Sequence, residues 1–182
     1  MSIPTDASAV IEARLRDVPD FPQPGIVFKD IVPLLADGAA FETVICALTD
    51  IAGQHTPVDL VAGIEARGFI FAAALAARLG CGLVPVRKAG KLPPPTIGQE
   101  YVLEYGAATI EVPEGVLTGR RVFLVDDVLA TGGTLAASAD LIERAGGHLL
   151  GMAVLLELGF LNGRNRLPHP GVRALLTVGP AD

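Results

Sequence analysis

The sequence predicts a single-domain α/β fold, a mostly parallel twisted sheet with helices on both faces, carrying an irregular N-terminal segment and a β-hairpin flap. Short apolar runs alternate with helix-like stretches from Asp59 onward, as in parallel strands covered on both faces. The chain has 182 residues, 51% of them hydrophobic, which suffices for one well-packed domain and is short for two. The interval from Ala89 to Gly119 breaks the alternation, being basic and proline-rich at first and then alternating polar with apolar residues on either side of Gly106.

Thr5 to Arg16 reads as a short amphipathic helix with Val10, Ile11 and Leu15 on one face. Phe21-Pro22-Gln23-Pro24-Gly25 is punctuated by two prolines and a glycine and is expected to be irregular. Asp37 fits the N-cap of a helix that buries Phe41, Val44, Ile45, Leu48 and Ile51. Asp59 to Ile64 is a strand, Phe69 to Leu79 an alanine-rich helix ending at Gly80, and Gly82 to Val86 a second strand. Strands around Tyr101–Tyr105 and Thr109–Val112 are expected to form a flap standing off the main sheet. Arg121 to Val125 is the third core strand, and a helix from about Leu135 to Arg144 stops at Gly146-Gly147. His148 to Leu156 and Val172 to Val178 complete the set.

Composition narrows the function classes. A net charge of −6 argues against a broad nucleic-acid surface, which needs excess positive charge to displace counterions. The most apolar stretch, Gly68 to Ala77, falls well short of the ~20 residues needed to span a bilayer. The N-terminus lacks a basic region followed by an apolar one, so no signal peptide is expected and the location is expected to be cytoplasmic. Cys46 and Cys81 stand apart, as do His55, His148 and His169, so no metal-ligand constellation is expected.

Chemistry concentrates in Val122-Phe123-Leu124-Val125-Asp126-Asp127-Val128-Leu129-Ala130-Thr131-Gly132-Gly133-Thr134. A buried strand is expected to end at two carboxylates, followed by a small-residue loop that opens a helix. Ligands bind at the carboxyl ends of such strands. Backbone N–H groups of residues 130–134, the helix dipole and the Thr131 and Thr134 hydroxyls suit a phosphate. Asp126 and Asp127 would repel that phosphate but suit sugar hydroxyls. There is no GxxxxGK[ST] and no GxGxxG after a strand, so nucleoside-triphosphate and dinucleotide loops are excluded.

These residues resemble the type I phosphoribosyltransferases, and nearly end to end the chain is similar to the adenine phosphoribosyltransferases. The resemblance implies a single phosphoribosyltransferase domain over residues 1–182, with a base-binding hood at 1–35 and a flexible flap at 88–118. It implies that Ala130, Thr131, Gly132, Gly133 and Thr134 hold phosphoribosyl pyrophosphate or AMP. Arg67, in Gly63-Ile64-Glu65-Ala66-Arg67-Gly68, and the basic Lys88 and Lys91 of the next loop would face the diphosphate. Phe21 to Ile31 resembles the hood, in which Val27 and Lys29 offer backbone groups to adenine and Phe28 stacks on it. Leu158, in Leu156-Glu157-Leu158, would pack on the base. Taken singly, Phe28 and Leu158 are core residues; the matched context assigns them to the ligand. Asp126, Asp127 and Glu104 are the implied catalytic residues, with Glu104 on the flap handling the purine proton. Mg²⁺ is implied as a cofactor carried mainly by the substrate diphosphate, and a homodimer as the assembly.

The expected reaction is phosphoribosyl transfer to N9 of adenine, giving AMP and pyrophosphate. Enzymes of this fold acting on hypoxanthine or guanine usually carry an aspartate where Ala130 stands, which disfavours those bases. Transfer to xanthine or another oxopurine stays open. So does a phosphoribosyl-pyrophosphate-sensing regulator, although the sequence shows neither a basic face nor an appended DNA-binding helix pair.

Overall fold

Alternate side chains along Val122-Phe123-Leu124-Val125 enter two different hydrophobic cores, so this strand must lie inside a sheet covered on both faces. A computed structural model describes residues 5–55, 57–102, 107–167 and 171–179. The helices are α1 (Thr5–Glu12), α2 (Val32–Ala36), α3 (Gly38–Gly53), α4 (Gly68–Leu79) and α5 (Gly133–Arg144). The strands are β1 (Arg16–Val18), β2 (Phe28–Asp30), β3 (Leu60–Ile64), β4 (Gly82–Lys88), β5 (Thr96–Val102), β6 (Ala107–Pro113), β7 (Arg121–Leu129), β8 (His148–Leu158) and β9 (Val172–Val178). Short 3-10 helices at Gly159–Leu161 and Gly163–Arg166 link β8 to β9.

The main sheet is seven-stranded, in the order β5-β6-β4-β3-β7-β8-β9. Strands β4, β3, β7, β8 and β9 are parallel, and β6 and β5 add to the β4 edge antiparallel. On one face α1, α2, α3 and α4 pack over Val61, Phe123, Val125, Ala153 and Leu155. On the other, α5 covers Ala62, Val84, Val122, Leu124 and Val154. Helix α4 buries Phe71, Ala72 and Leu75 completely, and side chains the size of Phe or Leu each contribute about 1.5–3 kcal/mol. The chain leaves β3 towards β4 and leaves β7 towards β8, on opposite sides of the sheet. The carboxyl ends of β3 and β7 therefore flank a crevice where strand order reverses.

Several local readings hold closely. Asp37 caps α3, its carboxylate accepting from the N–H groups of Ala39 and Ala40 at 3.1 Å. Val44, Ile45, Leu48 and Ile51 are buried, with Phe41 packed at the edge of the same cluster. Gly80, in the left-handed region, caps α4.

Other readings are corrected. The first helix stops at Glu12, and Arg16 instead begins β1, where its guanidinium holds the Asp30 carboxylate across the β1–β2 pair. Helix α2 lies in a stretch to which the sequence pattern assigns no element; Pro33 occupies a first-turn position that needs no donor. Strand β7 does not end at Val125 but continues through both aspartates to Leu129. The long β8 carries it onward, pairing Asp126 with Val154 and Leu129 with Glu157, after β3 has left at Val125. The hairpin does not stand off the sheet at its base, because Arg87 and Lys88 of β4 pair with Glu111 and Ile110 of β6.

Candidate active site

A pocket of about 400 Å³ opens in the crevice between β3 and β7. The β3–α4 connection lines one side with Ile64 to Arg67, and Asp126 to Leu135 line the other. Gly132 sits at φ +82°, which only glycine adopts cheaply, and caps the N-terminus of α5. This turn aims the first N–H groups of α5 and the positive end of its dipole towards the loop. Because β7 carries the aspartates within a strand, backbone pairing to β8 holds them in place. The predicted cradle, residues 130–134, and the predicted acid pair thus share one cavity.

The two carboxyls are not equivalent. Asp127 is 5% exposed. Its Oδ2 lies 2.6 Å from Arg67 Nη2, yet the pair is not aligned as a hydrogen bond, so this buried oxygen has no hydrogen-bond donor. Burial pushes the Asp127 carboxyl up, and the positive charge of Arg67 opposes this. Asp126 opens in part to the pocket, with Oδ1 accepting from the Asp127 N–H at 2.9 Å. Gly68 leaves room for it, since a Cβ there would fall 2.7 Å from Asp126 Oδ1. Burial, reinforced by the neighbouring charge of Asp127, holds the Asp126 carboxyl well above the usual carboxylate range.

Arg67 joins the acid pair to the N-terminal segment. Its guanidinium carbon lies 4.9 Å from the centre of the Phe28 ring, and its Nη1 is 3.4 Å from the Lys29 carbonyl. The Glu65–Ala66 peptide just before it is cis. Glu65 accepts from Arg87 Nε at 3.2 Å and from the Lys88 N–H at 3.1 Å, drawing the end of β4 to the pocket loop. Its carboxyl is pushed up by burial but ends below its ordinary value through these donors.

A phosphoribosyl transferase domain model matches residues 35–168 of the chain. The adenine phosphoribosyltransferase of Thermobifida fusca is 58% identical over 176 residues, covering 96% of this chain and 99% of the relative. That of Streptomyces coelicolor is 55% identical, covering 98% and 100%. This chain belongs to the adenine phosphoribosyltransferase family. The solved Rhodothermus marinus adenine phosphoribosyltransferase is 46% identical with a TM-score of 0.90, covering 96% of this chain and all 100% of that one. The Saccharomyces cerevisiae adenine phosphoribosyltransferase, at 37% identity and TM-score 0.89, was solved with D-2,5-dideoxy-2,5-imino-altritol 1,6-bisphosphate and adenine. It covers 95% of this chain and 100% of its own.

In this member of the family, the predicted site residues fall into four groups. Arg67, Asp126, Asp127 and Ala130 to Thr134 line the pocket. Phe28 and the Lys29 carbonyl reach it through Arg67, and Phe28 meets Phe21 edge-on at 5.2 Å. The Lys29 ammonium is turned to Asp17 at 2.7 Å, leaving the backbone as its contribution near the pocket. Val27, Lys88, Lys91 and Leu158 are not among the lining residues. Lys88 and Lys91 are exposed at the end of β4, and Leu158 ends β8 partly buried. Glu104 lies outside the described residues. Thr134, expected to donate to phosphate, has its hydroxyl 3.3 Å from Tyr101 Oη of the hairpin.

Sequence reasoning missed Glu65, Arg87, Tyr101, and the Gly163–Arg164 turn that meets the cradle from behind. The Asn162-Gly163 dipeptide was the available signal for a turn there.

Proposed function

We propose that the chain transfers the 5-phosphoribosyl group of phosphoribosyl pyrophosphate to N9 of adenine, giving AMP and pyrophosphate. The observation that carries this reading is a pocket lined both by the small-residue loop at the start of α5 and by the acid pair Asp126 and Asp127. Neutral-sugar sites lack the first and phosphate-only sites have no use for the second. The adenine phosphoribosyltransferase relatives favour adenine over an oxopurine, and enzyme over regulator.

The 5-phosphate rests on the backbone N–H groups of 130–134 and the α5 dipole. Asp127 Oδ2, buried and lacking a donor, accepts from a ribose hydroxyl. Arg67 exchanges its Asp127 partner for the substrate diphosphate, which releases Oδ2 to the sugar. As the C1–O bond to the diphosphate lengthens, the ribose becomes cationic. Asp126 and Asp127 then gain value as charges beneath it, Asp127 being buried from solvent. Purine N9 attacks the opposite face of C1, and Glu104 takes up the purine proton.

Val27 and Lys29 backbone groups, Phe28 and Leu158 hold the base, in a hood over residues 1–35. Lys88 and Lys91 add positive charge for the diphosphate, within a flap over 88–118. Among the described residues no group of three or more His, Cys, Asp or Glu side chains is placed to hold a metal ion. The substrate diphosphate would supply most ligands of a Mg²⁺ ion, and the acid pair Asp126 and Asp127 lines the same pocket with hard oxygen donors. When bound, the ion neutralises charge on the leaving group. The enzyme works as a cytoplasmic homodimer; none of the described helices is long and apolar enough to cross a membrane.

The test is a spectrophotometric assay of purified protein with phosphoribosyl pyrophosphate, Mg²⁺ and each purine in turn. Adenine is the expected substrate. Turnover of xanthine but not adenine, or binding of phosphoribosyl pyrophosphate without turnover of any purine, overturns the reading.

A further inference from the structure

The cradle is backed by a second backbone. Gly163, buried in the 3-10 helix Gly163–Arg166, lies so close that a Cβ built on it would fall 2.1 Å from the Ala130 carbonyl oxygen and 2.9 Å from the Gly132 nitrogen. Conversely, a Cβ on Gly132 would fall 2.2 Å from the Gly163 carbonyl oxygen. Neither strand of this contact has space for a methyl group, and both sides are main chain that cannot rotate away. The peptides of Ala130, Thr131 and Gly132 are those whose N–H directions define the cradle. Their orientation is therefore set partly by what stands behind them.

What stands behind them is anchored. Arg164 Nε donates to Glu157 Oε1 at 2.9 Å, Nη2 bonds the other carboxylate oxygen, and Nη1 donates to the Val172 carbonyl. Glu157 is 6% exposed and also accepts from the Thr177 hydroxyl at 3.3 Å. In the β7–β8 register it stands opposite Leu129, the residue before the cradle. The same strand pair thus carries the cradle on β7 and, through Glu157 on β8, the anchor of its backing. None of Glu157, Gly163 and Arg164 lines the pocket.

We propose that Gly163, held by the Arg164–Glu157 pair, is a positioning residue that sets the orientation of the phosphate-cradle peptides. This rests on the reading of residues 130–134 as the phosphate site and deepens it. Gly163→Ala displaces the cradle, and the loss falls on ligands that carry the 5-phosphate. Misplacement of a binding group by about 1 Å can cost on the order of 10²-fold. A methyl at this contact is expected to raise the Kd for ribose 5-phosphate and the KM for phosphoribosyl pyrophosphate ~10-fold or more, with the adenine KM little changed.

Calorimetry with ribose 5-phosphate on wild-type, Gly163→Ala and Arg164→Lys proteins, alongside KM for each substrate, decides it. Arg164→Lys adds no Cβ and keeps the charge but loses the two-pronged grip on Glu157, so a smaller loss in the same direction is expected. A wild-type Kd in folded Gly163→Ala overturns the proposal, as does an equal rise in the KM values for adenine and phosphoribosyl pyrophosphate. If Gly163→Ala does not fold, a wild-type Kd in Arg164→Lys overturns it alone. Failure of wild-type protein to bind ribose 5-phosphate would instead overturn the cradle reading itself.

Discussion

Asp126 and Asp127 are neighbours in sequence but answer to different surroundings. Asp127 has the Arg67 charge beside it, whereas Asp126 receives mainly burial and the repulsion of Asp127. An acid whose pKa is raised by folding binds its proton more readily in the folded state. Its contribution is therefore most favourable below the ordinary carboxylate range and is lost as pH rises towards the folded value. Asp126→Asn removes this penalty while its amide oxygen still accepts from the Asp127 N–H. Thermal unfolding should show Asp126→Asn more stable than the parent at pH 8, by about 0.5–2 kcal/mol, with the gain shrinking towards pH 4. On the proposed placement of the acid pair beneath the ribose, the same variant should lose ~10²–10³ in kcat. An unchanged kcat, or a gain independent of pH, would contradict this account. At Gly132, a larger side chain would strike the Gly163 backbone rather than protrude towards the phosphate, so substitution there acts by displacing the loop.

At the scale of elements, the hairpin and the cradle are mechanically joined. Strand β6 continues the sheet from β4, Tyr101 of β5 meets the Thr134 hydroxyl, and Arg144 at the end of α5 bonds Gln99. The helix that presents the cradle is therefore packed against the hairpin strand leading to Glu104. The proposed assignment of the purine proton to Glu104 starts from the methyl group at Ala130, where no acidic group stands. Glu104→Gln keeps size and hydrogen bonding but cannot transfer a proton. It should lower kcat ~10²–10⁴-fold and remove one limb of the pH–rate profile, with AMP affinity little altered. A variant with near wild-type kcat and both limbs would assign the proton to water or backbone.

For the whole molecule, the order of the sheet does most to locate function. Parallel strands diverging at β3 and β7 create one crevice, and both pocket loops issue into it. At the opposite end, Asp59 grips Arg121 through both side chain and backbone, tying the amino ends of the same two strands together. The paired guanidinium holds the Asp59 carboxyl far below its usual range. Sedimentation at micromolar concentration should give the mass of a dimer; a monomer would refute the assembly proposed here.

What the sequence alone determined was local. Apolar runs of strand length, the Asp37 cap and the glycine after α4 are short-range signals, and the structure places β3, β4, β8, β9 and α4 within a residue or two of their expected bounds. The pocket loop was legible for the same reason, since the two acids, the small residues and the helix start are contiguous from Asp126 to Thr134. The tertiary structure alone decided features that depend on partners distant in the chain. Strand β7 runs past Val125 because β8 supplies hydrogen bonds there, which no property of Asp126 or Asp127 foretells. Arg67 faces Asp127 and Phe28 across sixty and thirty-nine positions (127 − 67 and 67 − 28), and Gly163 meets Gly132 across thirty-one (163 − 132). Side-chain type constrains neighbours within a turn or a strand, whereas contacts across the fold are chosen by packing, and only the folded chain displays them.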